Sequence, residues 1–197
     1  MTKEETRADE SPARFVNATP KTLLDVIGLI REDYETFRGD RSRPGFRALL
    51  VYRIDSWRLG LKNRFVRLPF TFACRVAARW IRKHYSIELP PTAQIGRRLF
   101  ILHSGGVVIH MFATIGDDCV LHQRVTIGGA GKVSRDRAPR IGNGVKIGAG
   151  AAVIGDVRVG DRANIGPNAV VTMDVPDDAT AFAAPARVIF APSVDDR

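Results

Sequence analysis

Two hydrophobic rhythms divide the chain. From Ile141 onward an aliphatic residue falls every six positions, at Ile141, Ile147, Val153, Val159, Ile165 and Val171. The same beat runs upstream through Ile95, Ile101 and Val107, then through Ile109, Ile115, Leu121 and Ile127. It slips phase twice, near Val107 and Ile109 and again between Ile127 and Ile141. A period of six fits neither the turn of an α-helix nor the alternation of a half-buried strand. It fits a solenoid with three short flat faces per coil, each giving one aliphatic side chain to a central stack. Gly, Asn and Asp fall at the corners (Asn143-Gly144, Gly155-Asp156, Gly160-Asp161, Asn168), where the backbone turns through conformations costly for most residues. A solenoid needs its ends covered. The tail after Pro176, with Phe182, Pro185, Val188, Ile189 and Phe190, is expected to cover the C-terminal one.

The first third has helical spacing instead. Thr19-Pro20 reads as a cap and first turn, followed by Leu23, Val26, Ile27, Ile30, Tyr34 and Phe37 at three- and four-residue steps. A second helix is expected from Pro44, burying Phe46, Leu50, Ile54 and Trp57. A third spans about 63–85, with Phe65, Leu68, Phe72, Val76 and Trp80 on one side and Arg64, Arg67, Arg75, Arg79 and Arg82 on the other; Pro69 is expected to kink it or delay its start. The fold class is therefore α+β. Its domains are a flexible terminus (1–18), a helical module (19–86), a β-solenoid (87–178) and a C-terminal cap and tail (179–197).

Composition changes this picture little, and charge changes it more. The 197 residues are 45% hydrophobic and 26% charged, which suits one globular unit with a helical appendage. Two cysteines fit a reducing compartment rather than a disulfide scaffold. The polar start has no apolar signal segment and no run is long enough to span a bilayer, so a cytoplasmic protein is expected. The net charge is +9. Residues 41–83 carry twelve basic side chains and one acid, Asp55, whereas 84–197 are close to neutral with twelve basic and eleven acidic. Such a run reads first as a solvated helix face or subunit contact. A peripheral membrane contact through 41–83, at the inner membrane surface, is the competing reading. No nucleic-acid partner is expected, because no recognition motif accompanies the charge.

The hexads resemble the hexapeptide acyltransferases, which implies a left-handed parallel β-helix. The segments GFRALLVYRIDSW (45–57), IELPPTAQIG (87–96), ILHSGGVVI (101–109), VTIGG (125–129) and Gly131-Lys132 resemble the serine acetyltransferase family. That resemblance implies acetyl-CoA as acyl donor, a homotrimer or dimer of trimers with sites between subunits, and His103 as the general base, a role suited to its near-neutral titration. It gives Glu88 the place of the acidic partner, where the family has aspartate, and Arg137 that of a substrate-carboxylate arginine. Gly105 and Gly106 take substrate-binding positions; Gly129, Gly131, Lys132, Ala149, Ala151, Pro167 and Arg187 take CoA-binding ones.

Departures bear on the acceptor. The family's aspartate before the catalytic histidine is Leu102 here, the second histidine of its DRHP stretch is Ala138, and its cysteine-synthase docking tail is absent. The stretch HSGGVVIH (103–110) also resembles exopolysaccharide acetyltransferases such as the colanic-acid enzyme. The reading favoured on sequence is thus acetyl transfer to a hydroxyl of a small-molecule or lipid-linked glycan, with serine as the alternative acceptor. Two further readings are weaker: a zinc site built from His103, His110 and His122, as in β-helical carbonic anhydrases, against which no metal is expected because the ligand spacing is poor, and a scaffold without chemistry. Residues 129–140 are expected to form a loop extruded over the active site.

Overall fold

Among the described residues three helices precede the solenoid: α1 (Leu23–Thr36), α2 (Pro44–Leu59) and α3 (Arg64–Tyr85). The structure, a computed structural model, describes residue 20 and residues 22–131 and 137–188. Thr19, Lys132, Ile189 and Phe190 lie outside the described residues. The cap of α1 is Thr22, not Thr19: its hydroxyl accepts the Asp25 N–H at 3.1 Å, and the Asp25 carboxylate accepts the Thr22 N–H at 2.8 Å. Proline in its first turn starts α2 as expected. The side chain of Asn63 accepts the Phe65 N–H and opens α3, with Pro69 inside the helix rather than before it.

Fourteen short strands follow: β1 (Ile87–Glu88), β2 (Gln94–Ile95), β3 (Phe100–Ile101), β4 (Val107–Ile109), β5 (Thr114–Ile115), β6 (Val120–Leu121), β7 (Thr126–Gly128), β8 (Arg140–Ile141), β9 (Lys146–Ile147), β10 (Ala152–Ile154), β11 (Arg158–Val159), β12 (Asn164–Ile165), β13 (Val170–Val171) and β14 (Thr180–Ala181). All pairings are parallel, in three sheets ordered β1-β4-β7-β10-β13, β2-β5-β8-β11 and β3-β6-β9-β12-β14. These are the three faces of a left-handed parallel β-helix. Every aliphatic residue of the six-residue beat is buried, none more than 4% exposed. Arg140 and Arg158, one coil apart, share a face in register.

Both phase slips are corner insertions. The register pairs Ile95 with Ile115 and Ile101 with Leu121, twenty apart, but Ile109 with Ile127, eighteen apart. The two extra residues therefore lie between Ile101 and Ile109, the stretch that holds His103. The second slip places Ile115 opposite Ile141, eight residues beyond the coil length, and the surplus leaves between β7 and β8.

One corner is tied by side chains that cap the preceding coil. Asp117, Asn143, Asp161 and Asp177 each accept a backbone N–H from the preceding coil, at Arg97, Asp117, Asn143 and Asp161, over 2.7–2.9 Å. The residues that follow, Asp118, Gly144, Arg162 and Asp178, with Arg98, are all left-handed, with φ of 54–66°. There Arg98 forks onto Asp118 and Arg162 onto Asp178.

The helical module differs from expectation in which faces it buries. In α1 Leu29 and Asp33 are buried with Val26, while Ile27 is exposed. In α2 the buried side is Phe46, Leu49, Tyr52 and Arg53; Leu50, Ile54 and Trp57 are half-buried. The expected apolar stripe of α3 is exposed, and the helix instead packs on α2 through Cys74 and Ile81. Gly45, at the start of α2, is a close approach: a Cβ there would stand 2.7 Å from the Ile101 carbonyl oxygen. The basic run is split accordingly. Arg53 and Arg58 are buried ion-pair partners of Asp33 and Asp55, and Arg47 donates to the Tyr85 hydroxyl at 2.6 Å.

Surface ion pairs join α1 to the first coil. Glu32 binds Arg97 and lies 3.7 Å from Arg98. The hydrogen bond from Arg97 holds the Glu32 carboxyl below its usual 4.5, and that from Arg98 holds Asp118 down as well. Because folding lowers these pKa values, their stabilisation is present at neutral pH and is lost as pH falls below the ordinary carboxylate range. The wild-type melting temperature is therefore expected to drop more between about pH 5 and pH 3 than that of Glu32→Gln, in thermal melts followed by circular dichroism.

At the far end β14 pairs with β12, carrying the sheet to Ala181, beyond residue 178. Phe182 and Val188 are 76% and 80% exposed, so the described part of the tail covers the end with backbone rather than with these side chains.

Candidate active site

The connection from β3 to β4 carries His103 and is held as a raised loop. The Leu102 N–H donates to the Leu121 carbonyl, which keeps the loop's start in register. Gly105 (φ 110°) and Gly106 (φ 70°) then turn the chain back. At Gly105 a side chain would meet open space, so the left-handed backbone alone selects glycine. Its N–H donates to the Tyr85 carbonyl at the end of α3, and its carbonyl accepts the Arg124 N–H at 2.7 Å. His103 is left exposed at the rim, its ring centroid 6.3 Å from that of His122 on the next coil.

Backbone hydrogen bonds stack one edge of the prism above it. Arg124 donates to Gly105, Gly150 to Gln123, and Asn168 to Ala149. Gly105, Gln123, Ala149 and Pro167 thus occupy equivalent places on four successive coils, separated by about 4.8 Å each. The structure brings His103, Gly105 and Gly106 together with Ala149 and Pro167 on this edge, although 64 residues separate His103 from Pro167. The Ala149 N–H has no partner among the described residues.

Two residues on this edge escaped the sequence reading or were misjudged by it. Gln123 has a buried Oε1 with no hydrogen-bond partner among the described residues, which is unusual because buried polar atoms are nearly always satisfied. Nothing in the pattern marks it, since it sits at an ordinary corner position after His122. Ala151, expected to touch CoA, is fully buried; its N–H donates to Gly148 and its carbonyl accepts from Thr126. Both its peptide groups are used within the fold, so Ala151 supports the edge rather than lining it.

The remaining candidates are dispersed. Glu88, on β1, lies opposite Val108 in register and makes an ion pair with Arg82 at 3.5 Å. Among the described residues no hydrogen bond joins it to His103. Glu88 lines a cavity of about 460 Å³ between α2, α3 and β1, with Arg75, Arg79, Arg82, Asp55 and Pro91. Gly129 and Gly131 begin the β7–β8 excursion. A Cβ at Gly129 would stand 2.9 Å from His110 Nε2, so glycine lets this half-buried histidine pack there. The exposed Arg137 guanidinium returns beside Gly131, and Arg187 is exposed after β14. Ala138 is buried at 1% and Leu102 is half-buried. Among the described residues no group of three or more His, Cys, Asp and Glu stands close enough to hold a metal ion. Burial pushes the Cys119 thiol up to about 12 and the Cys74 thiol to about 11, which removes both as nucleophiles near neutral pH. No described helix is long and apolar enough to cross a membrane.

A three-faced coil of hexads with an exposed histidine at one edge defines a hexapeptide-repeat transferase, and residues 138–172 match the family model "bacterial transferase hexapeptide (six repeats)". The relatives sharpen this. The chain is 44% identical over 146 residues to a serine acetyltransferase of Helicobacter pylori (74% of this chain, 81% of that one) and 40% identical over 147 residues to that of Synechococcus elongatus (75% and 57%). The chain belongs to the serine acetyltransferase family. It thus spans little more than half of the Synechococcus protein. Among solved structures, a serine acetyltransferase in complex with cysteine superposes with a TM-score of 0.69 at 31% identity (85% of this chain, 67% of that one), and one in complex with CoA with 0.68 at 29% (85% and 71%). These findings overturn the glycan acceptor favoured on sequence. The relatives, at 37–44% identity, are named serine acetyltransferases, and the superposed structures hold an amino acid and CoA. Leu102 and Ala138 depart at two positions, whereas the likeness to serine acetyltransferases runs over 74–75% of the chain.

Proposed function

We propose that the protein is an acetyl-CoA-dependent serine O-acetyltransferase. The observation that carries this reading is the single edge that gathers His103, Gly105, Gln123, Ala149 and Pro167, in a chain whose relatives share that name. His103 takes the proton from the serine hydroxyl as the oxygen attacks the thioester carbonyl; the new C–O ester bond forms, the C–S bond breaks, and the proton passes to the departing thiolate. The CoA arm lies along the stacked edge, where the unpartnered Ala149 N–H donates to it, with Gly129, Gly131 and Arg187 toward its polar end. Arg137 meets the serine carboxylate, the role its position in the family implies. Glu88, held by Arg82, supports the imidazolium through charge rather than through a hydrogen bond. A trimer, with this edge between subunits, completes the site.

The test is thiol release from acetyl-CoA by the full-length protein with and without L-serine, with O-acetylserine identified by mass spectrometry. Serine-dependent release is the expected result. Release no faster than hydrolysis without serine sinks the proposal.

A further inference from the structure

The outer face of α3 is not used by anything described above. Phe65, Leu68, Phe72, Val76 and Trp80 recur at three- and four-residue steps and so form one stripe. They are 80%, 71%, 73%, 54% and 44% exposed, an apolar patch of a kind that monomer surfaces rarely leave bare without a role. Cys74 and Ile81, on the opposite side, anchor the helix to α2. The helix is 22 residues long, about 33 Å at 1.5 Å per residue. Its six cations, Arg64, Arg67, Arg75, Arg79, Arg82 and Lys83, are accompanied by no acid. Among the described residues only Arg82 has an ion pair, with Glu88.

We infer that this face docks on an anionic phospholipid surface, with α3 lying in the plane of the headgroups. Charge decides between this and a second copy. Two copies meeting through the stripe would set this acid-free cationic helix against itself, whereas acidic headgroups match Arg64 and Lys83 beside the stripe and the rim of Arg75, Arg79 and Arg82, which border the cavity against α2 and β1, while the aromatic and aliphatic side chains enter the acyl boundary. Arg64 lies over the Phe65 ring at 5.9 Å and Trp80 stacks on His84 at 4.4 Å, so both aromatics carry a polar group on one side. Amphipathic rings of that kind are enriched at the membrane–water boundary.

The experiment is co-sedimentation of the full-length protein with vesicles of equal parts phosphatidylglycerol and phosphatidylcholine, against phosphatidylcholine alone. Binding to the anionic vesicles is expected to be at least tenfold tighter and to weaken steeply with added salt. Phe72→Ser/Trp80→Ser, on exposed positions, should lower it about tenfold while leaving the melting curve unchanged. In a Trp57→Phe background, Trp80 emission should shift to the blue on the same vesicles. No binding to anionic vesicles, binding untouched by the double substitution, or unmoved emission overturns the proposal. So does a change of oligomeric state in the double variant, seen by sedimentation velocity, if the wild type ignores vesicles. None of these readouts depends on acetyl transfer.

Discussion

Replacing His103 by alanine is expected to lower serine-dependent acetyl transfer about 10²–10⁴-fold in kcat, the usual worth of a positioned general base. Secondary structure and melting temperature should stay near wild type, because the side chain is exposed and no described hydrogen bond depends on it. The control is His122→Ala, one coil away, with ring centroids 6.3 Å apart. It should leave most of kcat, since only His103 stands on the raised two-residue insertion. The pH profiles separate the two: the His103 variant should lose the limb that reports deprotonation of the base, while His122→Ala should keep it. A His103→Ala enzyme with wild-type turnover removes this histidine from the mechanism.

Arg53→Ala is expected to cost about 3–5 kcal/mol of stability, the range for stripping one partner from a buried charge pair. Arg53, on α2, is 1% exposed and reaches both α1 and the end of β2. Its Nε and one terminal nitrogen donate to the Asp33 carboxylate on α1 at 2.9 and 3.3 Å, and its terminal nitrogens also donate to the carbonyls of Ile95 and Gly96 at 2.8 and 2.6 Å. Alanine would leave a buried carboxylate and two buried carbonyls unpaired. Burial already pushes the Asp33 carboxyl up against the pull of Arg53, and without the arginine it rises further. A carboxylate with a raised folded pKa loses stability as pH rises. The deficit of Arg53→Ala, from urea unfolding, should therefore be larger at pH 8 than at pH 5. Pairing it with Asp33→Leu should recover part of the loss, because no unpaired charge is then buried. A single variant as stable as wild type would mean that the pair does not hold the helices to the coil.

The solenoid was legible because each coil repeats the same demand. Ile141, Ile147, Val153, Val159 and Ile165 had to be aliphatic at the same phase, and all are fully buried. Helix extents were legible from Pro44 and from the apolar steps of α3, but their faces were not. Arg53 sits in a run of basic residues and reads as solvated; its burial follows from Asp33 and the two carbonyls, which lie twenty or more positions away. The α3 stripe is regular by the same rule and is exposed, since helical spacing shows only that a face is apolar, not what covers it. In the site, His103 was legible from its motif. Gln123 was not, because its place beside Gly105 and Ala149 appears only when the eight extra residues before β8 are removed from the count.

Those two insertions also say how such a molecule can change. Ile115 still meets Ile141, and Ile101 still meets Leu121, as though nothing had been added. Length gained at a corner stays at that corner. The stack beneath does not register it, so descent with modification can lengthen, shorten or exchange the segments around the acceptor while leaving the buried ladder unaltered. Chemical novelty and structural constancy are thus uncoupled along the same short stretch of chain.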